Sequence, residues 1–475
     1  MEDLIAKLDR IFNPRVVAVV GDKKLNRDYM WLRAMEPFKG RVYSVNIDPN
    51  EVPGIEALGI KNYLSLMDIP EPVDYVVVSV PREVTPIIIR DCIKAGVGGA
   101  GLFTSGFAET KTEVGIKLQE TITQMAKDAN FALVGPNCMG LFIPKLGVRN
   151  STAQYAGEAG DVGFVSQSGT HSINFSIAGY AHGIKISKLV SYGNAVVLDS
   201  SDYLEYLAQD SETKAIGMYI EGVKDGGRFF RLLRETVRQK PVVIWKGGQT
   251  EAGTRATSSH TNSLAESMTV WEAIFKQTGA LRADNMEEMI DTFKALLYCK
   301  PPIGDRVGLV SMTGGQSVVI TDAFAKAGLQ VPTLSQQSYD RLASFFNIIG
   351  GSYRNPIDMG SNWRSADVVA QILDIMDKDE NIDAVALELS VNFLPNMFER
   401  IPGFEQAFLG ALDDFKERSS KPLVIILPPL HADALAADFR DRLMKRGLPA
   451  FPSFARAARA LNSVVKYEMW KRDGE

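Results

Sequence analysis

Histidine is scarce in this chain: His171, His182, His260 and His431 are the only four in 475 residues. His260 stands beside Ser258, Ser259 and Thr261, inside a run of small polar residues from Lys246 to Ser267 that leaves the apolar stretch Pro241–Trp245. Roughly a dozen or more small polar residues within a compact domain is uncommon, and such loops are often functional. Three chemistries are open to this imidazole. A metal site needs more ligands, and no other histidine or cysteine stands at ligand spacing. A serine-hydrolase triad needs a G-x-S-x-G elbow, which the sequence lacks. The third is covalent catalysis, with a ring nitrogen attacking phosphorus. An unperturbed imidazole, with a pKa of about 6.5, is mostly neutral and nucleophilic near neutrality. A carboxylate on its second nitrogen would fix the tautomer. Glu221 follows the apolar run Ala215–Ile220, at the carboxyl end of an expected strand, where ligands collect in open α/β sheets. A surface histidine and a solvated loop acid are the plain alternatives, and composition alone leaves them open. His171 lies near an expected helix start, His182 near a helix C-terminus, and His431 follows Pro428-Pro429.

Phosphorus chemistry needs an anion site, and two turns offer one. Val162-Gly163-Phe164-Val165-Ser166-Gln167-Ser168-Gly169 reads against Val307-Gly308-Leu309-Val310-Ser311-Met312-Thr313-Gly314, and eight of the 22 positions from Val162 to Gly183 are identical to their counterparts. Each copy is a strand, a small-residue turn and a helix. Such a turn leaves free amides at a helix N-terminus, where the dipole favours an anion. Ser166, Ser168, Gly169 and Thr170 in one copy, and Thr313, Gly314 and Gly315 in the other, are the candidate phosphate contacts. An ordinary N-cap with a packing glycine is the competing explanation. Neither copy matches the Walker A pattern.

The elements that position these residues are short β-branched runs alternating with longer helical stretches. Strands are expected at Val16–Val20, Arg41–Val45, Tyr75–Val80, Gly101–Phe103 and Ala132–Val134; then at Val162–Val165, Lys185–Val190, Ala215–Ile220 and Val242–Trp245; then at Val307–Val310, Ala384–Leu389 and Leu423–Leu427. Continuous apolar runs suit parallel strands covered on both faces. The expected fold is α/β with three doubly wound domains, at 1–149, 150–300 and 301–475, with Pro301-Pro302-Ile303-Gly304 as a linker. The first domain starts like a dinucleotide fold, but Gly21-Asp22-Lys23-Lys24-Leu25 is not G-x-G-x-x-G. Its later turns, Val80-Pro81, Thr104–Glu109 and Gly135–Gly140, fall on one sheet edge and suit an extended ligand. A net charge of −5 without basic blocks argues against nucleic acid and anionic membrane as partners. No apolar run approaches the ~20 residues that span a bilayer. The start Met1-Glu2-Asp3-Leu4 lacks signal-peptide character, and three dispersed cysteines suit a reducing, cytoplasmic setting.

Taken together, Phe12-Asn13-Pro14, Ser105-Gly106-Phe107-Ala108-Glu109, Gly135-Pro136-Asn137-Cys138-Met139-Gly140, Ser166-Gln167-Ser168-Gly169, Glu221-Gly222, Ser258-Ser259-His260-Thr261 with Leu264-Ala265, and Asn355-Pro356-Ile357-Asp358 give the chain its resemblance. It resembles the NDP-forming acyl-CoA synthetases, the superfamily of succinyl-CoA synthetase, and most of all the α subunits of their ADP-forming, acetate-activating branch. The resemblance implies a Rossmann-like CoA-binding domain followed by two flavodoxin-like ligase domains. It implies acyl-CoA + ADP + phosphate ⇌ acid + CoA + ATP, through acyl phosphate and a phosphohistidine. His260 would carry the phosphoryl group, Glu221 would support it, and the two helix ends would hold phosphate. Coenzyme A would lie against Gly21, Asn46, Val80, Pro81, Ser105, Gly106, Asn137 and Cys138. Mg²⁺ and ADP or ATP would sit on a separate ATP-grasp β subunit, in an α₂β₂-type assembly, with a small carboxylic acid as co-substrate and no metal on this chain. Departures accompany the match. Asp22-Lys23-Lys24-Leu25-Asn26 replaces a glycine-rich turn, and Ile47-Asp48 replaces a Pro-Lys pair, which puts bulk and negative charge where CoA phosphates would lie. Asn262 and Glu266 stand where the family prefers glycine, and Thr313-Gly314-Gly315-Gln316 is poorer in glycine than usual. A non-catalytic CoA- or acyl-CoA-binding regulator on this scaffold, and a phosphate-dependent acyl or carbamoyl transferase, are the alternatives to a ligase.

Overall fold

In the computed structural model the described residues are 4–25, 28–260, 267–430 and 432–473, with 258–260 and 473 described by their backbone alone. The chain divides into two units at Asp284/Asn285. The first unit holds two sheets. Strands β1 (Val16–Val20), β2 (Arg41–Val45), β3 (Lys61–Tyr63), β4 (Tyr75–Val78), β5 (Gly99–Leu102) and β6 (Ala132–Val134) form a parallel sheet in the order 3-2-1-4-5-6. That is the dinucleotide-fold order, with its switch point between β1 and β4. Both central strands are buried along their whole length because helices cover both faces.

Strands β7 (Gly140–Phe142), β8 (Val162–Ser166), β9 (Ile186–Ser191), β10 (Ala215–Ile220), β11 (Val242–Lys246) and β12 (Leu281–Ala283) form the second sheet, in the order 12-11-10-8-9-7. Only β7 runs antiparallel, against β9. The second unit holds β13 (Val307–Ser311), β14 (Ile357–Asp358), β15 (Ala384–Glu388), β16 (Leu423–Ile426) and β17 (Ala450–Phe451), all parallel, in the order 14-13-15-16-17. Counted from β8 and from β13, both sheets read 2-1-3-4-5, the flavodoxin-like order. The sequence repeat is therefore also a repeat of topology, with the Ser168 and Thr313 turns on the first strand of each copy.

All twelve expected strands form, with ends displaced by no more than two residues. The five others, β3, β7, β12, β14 and β17, are two or three residues long and each lies on a sheet edge. The helix Met286–Tyr298 packs against Phe454–Asp473 within the second unit. The run expected as a loop from Lys246 to Ser267 instead contains a helix, Glu251–His260. Thr250 Oγ1 accepts the amide of Gly253 at 3.1 Å, the Thr254 hydroxyl reaches the carbonyl of Gly248 at 3.0 Å, and Arg255 pairs with Glu251 one turn back at 2.8 Å. These local bonds offset the weak helix propensity of glycine, threonine and serine.

Candidate active site

The turn after β8 is held from within. The Ser166 hydroxyl donates to the carbonyl of Ser168 at 2.7 Å, and Ser168 Oγ accepts the amide of His171 at 3.3 Å as the N-cap of the helix Gly169–Ala181. The amides of Gly169 and Thr170 come too early in the helix to meet its own carbonyls. A cleft of about 220 Å³ opens over this turn, lined by Ser168, Gly169, Thr170, Asn137, Cys138 and Met139 among others. A Cβ on Gly169 would stand 2.9 Å from Met139 Cγ, so glycine keeps this entrance clear.

Glu221 sits beside the turn, because β10 is the direct neighbour of β8. It is 4 % exposed. Gln167 Oε1 accepts the amides of Glu221 and Gly222 at 2.8 and 3.1 Å, the Tyr219 hydroxyl donates to Glu221 Oε1 at 3.2 Å, and buried Lys246 Nζ donates to the Glu221 carbonyl at 2.9 Å. The His171 ring packs between Tyr219 and Trp245, 4.5 Å from each centroid. Sequence reading missed this support, since Tyr219 and Trp245 read there only as strand residues and Lys246 only as the start of the polar run, whereas it ends β11. His260 closes the helix Glu251–His260; its side chain, and all of Asn262 and Glu266, lie outside the described residues, as does His431.

The residues expected to face coenzyme A gather along the carboxyl edge of the first sheet. Gly21 follows β1 and Val80 follows β4, at the switch point. Gly21 holds φ +79°, and a Cβ there would stand 2.5 Å from Val80 Cγ1 and 2.7 Å from the Ser79 carbonyl oxygen. Asn46, after β2, donates from Nδ2 to the carbonyl of Asp22 at 2.8 Å. Pro81 and Ser105 are exposed, and Gly106 is fixed by Arg82 Nη1 on its carbonyl at 2.7 Å and Glu109 Oε1 on its amide at 2.6 Å. Asn137 and Cys138 follow β6 and reach the cleft of the Ser168 turn. Burial pushes the Cys138 thiol up to about 12, so it stays protonated and lines the site without acting as a nucleophile.

Asp22 explains what the altered first turn does. It is fully buried, and Oδ2 accepts the amides of Trp31 and Leu32, both at 3.0 Å, while Oδ1 accepts that of Lys23 at 3.0 Å. The amides of Trp31 and Leu32 open the helix Met30–Ala34, where a dinucleotide fold holds its pyrophosphate. Here the chain supplies the anion itself.

In the second unit, Thr313 makes no side-chain cap to the helix Gly314–Lys326, and Gly315 faces open space. Two carboxylates flank this turn. Glu388, at the end of β15, accepts the Met312 amide at 2.8 Å, and burial raises its pKa to about 7. Asp358 Oδ2 stands 2.8 Å from where a Cβ on Gly314 would lie.

Comparison with known proteins bears on what these sites do. Residues 15–144 match a CoA binding domain, and residues 159–296 match a succinyl-CoA ligase like flavodoxin domain. The chain is 32 % identical to subunit alpha of the ADP-forming acetate–CoA ligase II of Pyrococcus furiosus, over 97 % of each chain. It is also 32 % identical to the ADP-forming acetate–CoA ligase I of Archaeoglobus fulgidus, over 97 % of this chain but 64 % of that longer protein. A solved structure, the dinucleotide forming acetyl-coenzyme A synthetase 1 of Ca. Korarchaeum cryptofilum in complex with phosphate and ADP, superposes with a TM-score of 0.83 at 30 % identity, covering 99 % of this chain and 98 % of that one.

Proposed function

The chain belongs to the family of ADP-forming acyl-CoA synthetases, and on that premise we propose that it is the α-type subunit of such a ligase. It interconverts acyl-CoA, ADP and phosphate with acid, CoA and ATP. The observation that carries this reading is the cleft where the Ser168–Thr170 turn meets Asn137 and Cys138 from the first sheet. A phosphate held by the Gly169 and Thr170 amides attacks the thioester carbonyl; the C–S bond breaks and CoA leaves as the thiol after protonation. The acyl phosphate so formed passes its phosphoryl group to a ring nitrogen of His260, and the carboxylate leaves. Glu221 accepts the N–H of the other ring nitrogen and stabilises the cationic ring. The phosphoryl group then moves to ADP, with Mg²⁺, on an ATP-grasp partner in an α₂β₂-type assembly. The Thr313-Gly314-Gly315 turn is the second phosphoryl-holding helix end. CoA lies along Gly21, Asn46, Val80, Pro81, Ser105 and Gly106, with its phosphates displaced from the helix that Asp22 already caps. The setting is reducing and cytoplasmic; no helix among the described residues is long and apolar enough to cross a membrane.

The test is phosphorylation. Incubated with the ATP-grasp partner and labelled ATP, the chain should become an acid-labile, base-stable phosphoprotein, and His260→Ala should abolish the label. Glu221→Gln should slow labelling by roughly 10²–10⁴, the worth of a lost acid–base partner. Full labelling of His260→Ala would overturn the assignment.

A further inference from the structure

The main chain of Glu221 is held from two sides, by Gln167 on its amide and by Lys246 on its carbonyl. Those bonds place the backbone and leave the carboxylate to its own torsions. A different group reaches the side chain. Tyr219, two residues back on β10, is buried, and its hydroxyl has one hydrogen-bond partner among the described residues, Glu221 Oε1. The phenol ring is clamped on two sides. Trp245, its neighbour across β10 and β11, meets it at 4.7 Å between centroids with the planes at 70°. His171, from the first turn of the helix Gly169–Ala181, meets it at 4.5 Å.

Gly247 closes a third side. A Cβ there would stand 2.6 Å from Tyr219 Oη and 3.2 Å from Glu221 Cγ, so a larger residue would press on both members of the pair. Gly247 does not hold a positive φ, so space rather than backbone conformation asks for glycine at this position. Burial, and after it the charge of Glu221, hold the phenol well above its usual range, so it keeps its proton and donates it. At 3.2 Å the bond is longer than the about 2.7–2.8 Å usual for a hydroxyl donor. Catalytic hydrogen bonds often tighten only once the reacting groups are in place.

We infer that Tyr219 is a positioning residue for phosphoryl transfer: its hydroxyl pins Glu221 Oε1 and so presents Oε2 to the imidazole N–H of His260. This rests on the ligase reading above and deepens it. Tyr219 makes and breaks no bond, and its proton stays on the phenol. Its ring also packs on His171, so the clamp ties the carboxylate to the helix whose first amides are offered to phosphate.

The test is a double-mutant cycle on the full chain, with its ATP-grasp partner and labelled ATP, read as the rate of phosphoprotein formation. Tyr219→Phe keeps the ring and its packing and removes only the hydroxyl. It should slow labelling about tenfold. That ratio corresponds to about 1.4 kcal/mol, near the low end for a hydrogen bond to a charged group. The KM for ATP should stay as in the parent, so that the loss falls on the rate constant alone. Once Glu221→Ala has removed the carboxylate, the same change should cost less than about twofold. Thermal unfolding of Tyr219→Phe should match the parent. A loss that is equal in both backgrounds, or that comes with loss of folded protein, assigns the hydroxyl to the fold and overturns the inference. An unchanged rate in Tyr219→Phe, where Glu221→Ala is slow, overturns it as well and leaves the ligase reading intact. If His260→Ala and Glu221→Ala both label like the parent, the ligase reading fails and takes the inference with it.

Discussion

The turns after β1 and β8 are built from the same parts and finish differently. Each leaves a central parallel strand at a switch point and enters a helix whose first amides lack intrahelical carbonyls. After β1, Asp22 reaches forward along the chain and places its carboxylate on the amides of Trp31 and Leu32. After β8, Ser168 takes only the amide of His171, and glycine follows it. One anion-binding helix end is filled by the protein and contributes to its stability. The other opens into a cleft. A switch point therefore predicts a ligand only when the residues around it leave the amides unspent.

The sharpest way to break this contrast is to fill the open turn. Gly169→Val would bring a branched side chain to the position where a Cβ already approaches Met139 Cγ to 2.9 Å, and it would stand over the amides offered to phosphate. Phosphoryl transfer to His260 should fall by about 10²–10³, the usual loss for a preorganised anion donor, while thermal unfolding changes far less. An undiminished transfer rate would show that the turn only caps its helix.

The converse experiment empties the filled turn. Asp22→Ala strands the buried amides of Trp31 and Leu32, whose acceptor is a carboxylate. Loss of about 2–4 kcal/mol in denaturant unfolding is expected from charged hydrogen bonds and unsatisfied donors. Asp22→Asn keeps one acceptor oxygen and should lose less. If both variants unfold with the parent, Asp22 is not what holds this turn.

How much of this was legible beforehand follows from the same residues. The central strands are uninterrupted β-branched runs, because helices cover both faces, and they read directly from sequence. The edge strands Lys61–Tyr63 and Ile357–Asp358 have too few residues to show any period, and only pairing to a neighbour defines them. The helix Glu251–His260 was hidden by Gly253, Thr254 and the two serines, and its local bonds appear only in three dimensions. Asp22 was legible as a charge in a ligand turn, but not as a cap for amides nine and ten residues ahead. Glu221 was placed by its strand; Tyr219, Lys246 and Gln167, which hold it, needed the β8–β10–β11 adjacency.

The third turn, after β13, sharpens the comparison through pH. Glu388 lies under it with a pKa raised to about 7 by burial, against about 4.3 in an unfolded chain. A raised acid binds its proton more tightly when folded. Its contribution is fully present below about pH 4.3 and is lost as pH rises through about 7. The window is worth on the order of 3–4 kcal/mol by linkage. Glu388→Gln keeps an acceptor for the Met312 amide and cannot ionise, so stability of the second unit should flatten between about pH 4 and 7. An unaltered pH profile would remove Glu388 as the titrating group.

The smallest expected effect separates the two copies of the repeat at their caps. Ser168 Oγ accepts the amide of His171, whereas Thr313 makes no side-chain bond to its helix, although both residues hold the extended backbone of an N-cap. A hydroxyl that caps is worth about 1 kcal/mol against alanine, and one that does not is worth little beyond its contacts. Hydrogen exchange suits a difference this small, because it reports the local opening of a helix end rather than the unfolding of a whole unit. Ser168→Ala should speed exchange at the His171 amide by about fivefold, the ratio that corresponds to about 1 kcal/mol. Thr313→Ala should leave exchange at the start of Gly314–Lys326 nearly as it was. Because Ser168 also lines the cleft, added phosphate should slow exchange at the Gly169 and Thr170 amides in the parent chain. Equal acceleration in both alanine variants, with no response to phosphate, would mean that the two turns differ in sequence but not in what they do.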